Sequence, residues 1–207
     1  MKKSARGFSL IELLIVLAII LLISAMAIPQ IKRVQTRYKL DTSGHAVAGL
    51  LQQARLQAVR SNLPTYAQFD PGTPNLIYVN NDKTAYVAGT GESVVVTNGN
   101  VTLQTANGNN LDLGQLNAYL GAGTGSIVVE PPGTPIGFNA RGLPCMEQSG
   151  NTALCQQTDG GQIPAFLLLM TNGQGDWEAV TVTAAGKTKA WQMARGDISC
   201  GFNNCWK

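Results

Sequence analysis

The stretch Gly7-Phe8-Ser9-Leu10-Ile11-Glu12-Leu13, which continues without a charge to Ile28, decides how the rest of the chain is read. Between Leu13 and Ile28 the only polar side chain is Ser24. As an α-helix rising about 1.5 Å per residue, Phe8–Ile28 reaches about 30 Å, the thickness of a bilayer's hydrocarbon core. Glu12 is the exception in this run. A carboxylate inside an apolar span costs a few kcal/mol, so an acid placed there is read as functional.

Working outward, Met1–Gly7 holds Lys2, Lys3 and Arg6, a short basic leader. The positive-inside rule keeps such a leader cytoplasmic and places the C-terminal part on the far side of the membrane. Three readings compete for the apolar run. A secretory signal peptide would be cut after Ala27, at the A-x-A site Ala25-Met26-Ala27. A single-span anchor would stay uncut. A leader removed on the cytoplasmic side would be cut before the apolar run begins. The first two have no use for Glu12, so the carboxylate decides for the third.

Gly7-Phe8-Ser9-Leu10-Ile11-Glu12 closely resembles the type III signal of type IV pilins and type II secretion pseudopilins. In that superfamily a prepilin peptidase cuts after the glycine and methylates the new N-terminal residue. The resemblance implies cleavage between Gly7 and Phe8, N-methylation of Phe8, and Glu12 as the fifth residue of the mature chain. It also implies the partners: the bacterial inner membrane, the prepilin peptidase, and other pilin or pseudopilin subunits met through the N-terminal helix. The physics agrees. Cleavage creates an α-ammonium on Phe8, and Glu12 of a neighbouring subunit neutralises it. Leaving either charge alone in a low-dielectric core costs several kcal/mol, so the pair favours one axial stagger.

Helical spacing continues beyond the membrane segment. Ile31, Val34, Tyr38, Val47, Leu51, Ala54 and Ala58 recur at three- and four-residue steps. Lys32, Arg33, Arg37, Lys39, Arg55 and Arg60 decorate the intervening surface, and Asn62-Leu63-Pro64 supplies the stop. A helix over Ser9–Ser61 would be about 80 Å long. Its first half is expected in the membrane or filament core, and its second half against a globular body. Pro29 removes one backbone donor and predicts a kink. Gly44 and Gly49 read as further soft points, and the single histidine, His45, as a helix-surface residue.

After Pro64 the period changes to that of strands. Runs are expected at Thr65–Phe69, Leu76–Val79, Thr84–Ala88, Ser93–Thr97, Val101–Thr105 and Ser126–Glu130. Later ones are Pro135–Asn139, Ala165–Thr171, Glu178–Thr183 and Lys187–Gln192, and turn-rich strings such as Asp70-Pro71-Gly72 separate the strands. Residues 80–130 otherwise carry no assignable pattern. The fold class is α+β: a long N-terminal helix packed on an antiparallel β-sheet body. The domains read as a leader (1–7), a transmembrane or filament-core helix (8–28), its amphipathic continuation (29–62) and a β-rich domain (63–207).

Charge divides the same way. Residues 1–61 sum to +7, whereas residues 62–207 sum to −4. The four cysteines lie late in two local pairs, Cys145 with Cys155 and Cys200 with Cys205. Their even count and wide spacing favour disulfides in an oxidising compartment over zinc ligation, with three pairings open.

Two C-terminal patterns extend the resemblance. Pro135-Ile136-Gly137-Phe138-Asn139-Ala140-Arg141-Gly142 resembles a strand-and-glycine-turn of the FimT/GspH group of minor pilins and pseudopilins. Glu178–Trp191 resembles that group's final hairpin. The implied function is a structural subunit of a type II secretion pseudopilus or a type IV pilus, exposed to the periplasm or carried into a surface filament. Some members bind DNA through a Gly-Arg-x-Arg turn. Here Gly186-Lys187-Thr188-Lys189 stands in its place, which keeps the charge but loses the bidentate fork. DNA is therefore an alternative partner, with Lys187 and Lys189 as its contacts. No phosphate loop, nucleophile elbow or second histidine supports an enzyme, and no cofactor or metal is implied.

Overall fold

The computed structural model describes residues 9–70, 76–81, 93–97, 101–104, 111–123, 125–129, 131, 134–148, 151–156, 162–193 and 206–207. Its first element is α1 (Leu10–Ser61). The helix opens where the Ser9 carbonyl accepts a bond from the Leu13 N–H at 3.2 Å, and it runs on through Pro29. It stops at Asn62, whose φ of 55° is one that asparagine tolerates better than most residues. The expected Ser9–Ser61 helix is therefore present within one residue.

The chain divides into two compact units, Met1–Tyr38 and Lys39–Lys207. In the first, the large apolar residues from Leu10 to Ile28 are exposed on every side of the helix. In the second, Leu40, Val47, Leu50, Leu51, Ala54 and Ala58 form a buried stripe at helical spacing.

The strands follow in the order β1 (Thr65–Phe69), β2 (Leu76–Asn80), β3 (Ser93–Val96) and β4 (Thr102–Gln104). After the short helix α2 (Gly114–Leu120) come β5 (Ser126–Val129), β6 (Ile136–Phe138), β7 (Pro144–Gln148) and β8 (Asn151–Gln156). The last three are β9 (Ile163–Thr171), β10 (Trp177–Val182) and β11 (Thr188–Gln192). One sheet runs β3-β2-β1-β6-β7-β8 and the other β11-β10-β9-β4. Pairing is antiparallel except between β5 and β9, which are parallel with Val128 opposite Ala165.

The second sheet is buried on both faces, which is why β9 reads as a continuous apolar run rather than an alternating one. Phe166, Leu168 and Met170 join Val180 and Val182 in the core beneath α1. Ala165, Leu167 and Leu169 turn the other way, to Leu116 and Leu120 of α2 with Trp191 and Trp206. Trp206 is fixed there by its own Nε1–H to the Asp112 carbonyl (3.0 Å) and by a reciprocal pair of bonds with the Gln115 side chain.

Three elements differ from the sequence reading. α2 lies in the stretch that carried no pattern, and β7 and β8 pair where the sequence reading placed no strand. The expected strand Thr84–Ala88 lies outside the described residues.

Candidate functional site

The N-terminal segment comes first. Glu12 occupies the first turn of α1 and Pro29 lies within it, while Gly7 and Phe8 are outside the described residues. Around Glu12, Leu10, Ile11, Leu13 and Leu14 are exposed at 81 %, 61 %, 58 % and 56 %. One acid in the first turn of an apolar helix, with no apolar cover of its own, is a surface that needs either lipid or other helices. The helix is long and apolar enough to cross a membrane.

In the second unit, α1 meets β10 at an acid. Glu178 is 1 % exposed, on the same face as Val180 and Val182, and neither of its carboxylate oxygens has a hydrogen-bond partner. It lies against Gly44, where an added Cβ would collide with Glu178 Oε1. Gly44 is thus a point of close approach and not the soft point expected of it. Gly49, by contrast, faces open space. Burial, with the nearby Asp41 charge adding to it, pushes the Glu178 carboxyl up to about 9. Asp41 in turn accepts a bond from the Gln192 side chain and lies 3.5 Å from His45, which is largely exposed.

The two C-terminal patterns singled out in the sequence converge on one residue, Arg55 of α1. The β6–β7 turn closes with Gly142 N–H to Asn139 O (2.8 Å), and the β10–β11 turn with Gly186 N–H to Thr183 O (2.7 Å). Gly142 and Gly186 have φ of 73° and 76°, so both need the left-handed freedom of glycine. Arg55 Nη1 donates to the Gly186 carbonyl at 3.0 Å. A Cβ on either glycine would come within 3.1–3.2 Å of Arg55 Nε, and on Gly186 within 2.6 Å of the Gly142 carbonyl. Arg55 read as surface decoration in the sequence. Its position one residue beyond buried Ala54 was the only hint.

Lys187 and Lys189 have different surroundings. Lys187 borders Arg55, whereas the Lys189 ammonium sits 3.3 Å from the Trp191 ring centroid and 5.9 Å from that of Tyr119. Trp191 is itself held by its Nε1–H to Thr181 Oγ1 (2.9 Å), so this cation–π stack lies on the α2 side of the sheet. Cys145 and Cys155 form a disulfide across β7 and β8, with Cα atoms 5.3 Å apart. Cys200 and Cys205 lie outside the described residues. Among the described residues no group of three His, Cys, Asp or Glu side chains is arranged to hold a metal.

Comparison with known families completes this picture. The prokaryotic N-terminal methylation motif matches residues 2–28, and the type II transport protein GspH family matches residues 43–186, more than half of the chain. The chain belongs to the GspH family. No curated protein and no solved structure matched it. GspH-family membership makes it a minor pilin-type structural subunit, and the family is not one of enzymes. The methylation motif brings with it processing by the prepilin peptidase and assembly with other pilins. The motif and the apolar half of α1 fit a subunit anchored in the inner membrane. The two matches also fall on different parts of α1: the motif on the exposed apolar half, and the GspH match beginning at Ser43, where the buried stripe has started.

Proposed function

We propose that this GspH-family subunit is a minor pseudopilin of a type II secretion pseudopilus. In this reading the leader is cut between Gly7 and Phe8, and Phe8 is methylated. The mature chain spans the inner membrane once over residues 8–28, with residues 63–207 on the periplasmic side. It is then drawn into the filament, where Glu12 neutralises the Phe8 α-ammonium of a neighbour. The carrying observation is the coincidence of the methylation motif with a helix half that is apolar on all sides and bears one acid.

Membership of a type II transport protein family favours secretion over a type IV pilus. The DNA-uptake alternative has less support, because Lys187 lies at the cleft beside Arg55 while Lys189 stacks on Trp191, and residues 62–207 sum to −4. Intact mass of the mature chain tests the processing: a methylated chain starting at Phe8 supports it, and a chain starting at Ile28 refutes it. A deletion strain scored for exoprotein release, twitching and DNA uptake tests the system. Loss confined to exoprotein release is the expected result. Loss confined to twitching or DNA uptake refutes the secretion assignment.

A further inference from the structure

We propose that Arg55, Lys187 and Thr188 form a receptor for a single carboxylate, supplied by an acidic side chain of a neighbouring pilin-type subunit. The three line a cleft of about 370 Å³ with Gln52 and Leu56, between α1 and the start of β11. Arg55 forms its floor and is already positioned: one nitrogen is spent on the Gly186 carbonyl, and Nε lies over the two glycine turns. A guanidinium held this way loses little further freedom on binding, and its remaining N–H groups keep the planar fork that matches a carboxylate.

Among the described residues, no acid lines the cleft. Asp41, which contacts His45 at 3.5 Å, lies far along the helix from Arg55. Thr188 adds a hydroxyl, Oγ1, that is buried and without a hydrogen-bond partner. A half-buried guanidinium, an exposed ammonium and an unspent hydroxyl around one cavity are complementary to an oxyanion. Leu56, 56 % exposed at the rim, offers an apolar shoulder for the methylene stem of a glutamate.

The charge count selects a protein carboxylate over a polyanion. A nucleic acid needs a track of cations, and Lys189, the next one along the hairpin, lies on Trp191 on the other face of the sheet. The net −4 of residues 62–207 also repels a long polyanion, whereas one carboxylate needs only the local field. The surrounding body is acidic, so a neighbouring subunit of similar make-up has acids to offer. The identity of the partner, though not the carboxylate site itself, rests on the assembly reading above.

The full chain in detergent micelles, observed by NMR at the Arg55 Nε–H, provides the test. Sodium acetate, inorganic phosphate and a short duplex DNA are added separately. Acetate should move the Arg55 signal saturably, and Lys187→Gln should weaken that response about tenfold. Arg55→Lys should abolish the acetate response read at the backbone amides of Lys187 and Thr188, while circular dichroism stays unchanged. Because Lys187 is exposed, its variant keeps the test informative if Arg55→Lys unfolds. No acetate response, or a response to phosphate or DNA at lower concentration than to acetate, overturns the carboxylate receptor. Incorporation of Arg55→Gln into filaments is then measured on chains that are inserted and processed normally. Reduced incorporation supports the neighbouring subunit as donor, and wild-type incorporation overturns that assignment.

Discussion

Replacing Glu178 by glutamine should remove most of the pH dependence of this protein's stability near neutrality. The folded carboxyl holds its proton up to about 9, against 4.5 for the group in its unperturbed state. Between those values the folded chain binds a proton that the unfolded chain has released. Stability from this group is therefore complete below the unfolded value and falls as pH rises, by about 1.4 kcal/mol per pH unit. From about pH 6 to pH 8 the loss is roughly 3 kcal/mol. For a body of this size that lowers the melting temperature by about 5–10 °C. The groups facing the carboxyl are Asp41 on α1 with His45 beyond it, Met170 on β9 and Gln192 on β11, and none of them offers a neutralising cation at close range. Thermal unfolding of the full chain in micelles, followed by circular dichroism across this range, measures the slope. Glu178→Gln should flatten it, and Asp41→Asn should move its upper limit to lower pH. A wild-type curve already flat across the range, or a glutamine variant with the wild-type slope, would refute the buried-proton account.

Three further outcomes are expected. Gly44→Ala should destabilise the body by about 1–3 kcal/mol in chemical denaturation, because its Cβ collides with Glu178 Oε1, and adding Glu178→Ala should recover part of that loss. Trp206→Ala should cost about 3–5 kcal/mol in the same assay, since the ring is 2 % exposed and its loss leaves the Asp112 carbonyl without the Nε1–H donor. Glu12→Ala should still be processed at Gly7 but should be absent from sheared filaments, as judged by immunoblot of the membrane and filament fractions.

What was legible in the sequence followed from local chemistry. The bounds of α1 are written in Ser9, Asn62 and Pro64, and β1, β2 and β9–β11 in short β-branched or apolar runs between turns. The patterns around Gly142 and Gly186 were visible as turns, but their joint purpose was not, because Arg55 meets Gly186 across 131 residues of chain. α2 was hidden for the same reason. Its seven residues are too few for a helical period to show, and it is held by Trp206, 91 and 94 positions from its partners. Glu178 was the most readable omission. Strand parity places it on the face of Val180 and Val182, and a lone acid on that face carries the same message as Glu12 in the apolar helix.

The two acids stand in opposite surroundings, and the contrast bears on how this subunit is built. Fourteen large apolar residues from Leu10 to Ile28 stand 48–81 % exposed, which in water represents on the order of 20 kcal/mol of unburied apolar surface. Apolar surface of that extent calls for a bilayer or for neighbouring helices. Both are non-directional solvents for leucine, and neither fixes where along the helix a neighbour sits. In the proposed assembly a single carboxylate does, because its partner charge can meet it at only one stagger. Glu178 faces no such partner. It stays neutral under Gly44 and lets α1 approach β10 closely without requiring a cation. In the proposed assembly one acid serves to find another subunit, while the other gives its charge up so that the helix packs on its own body.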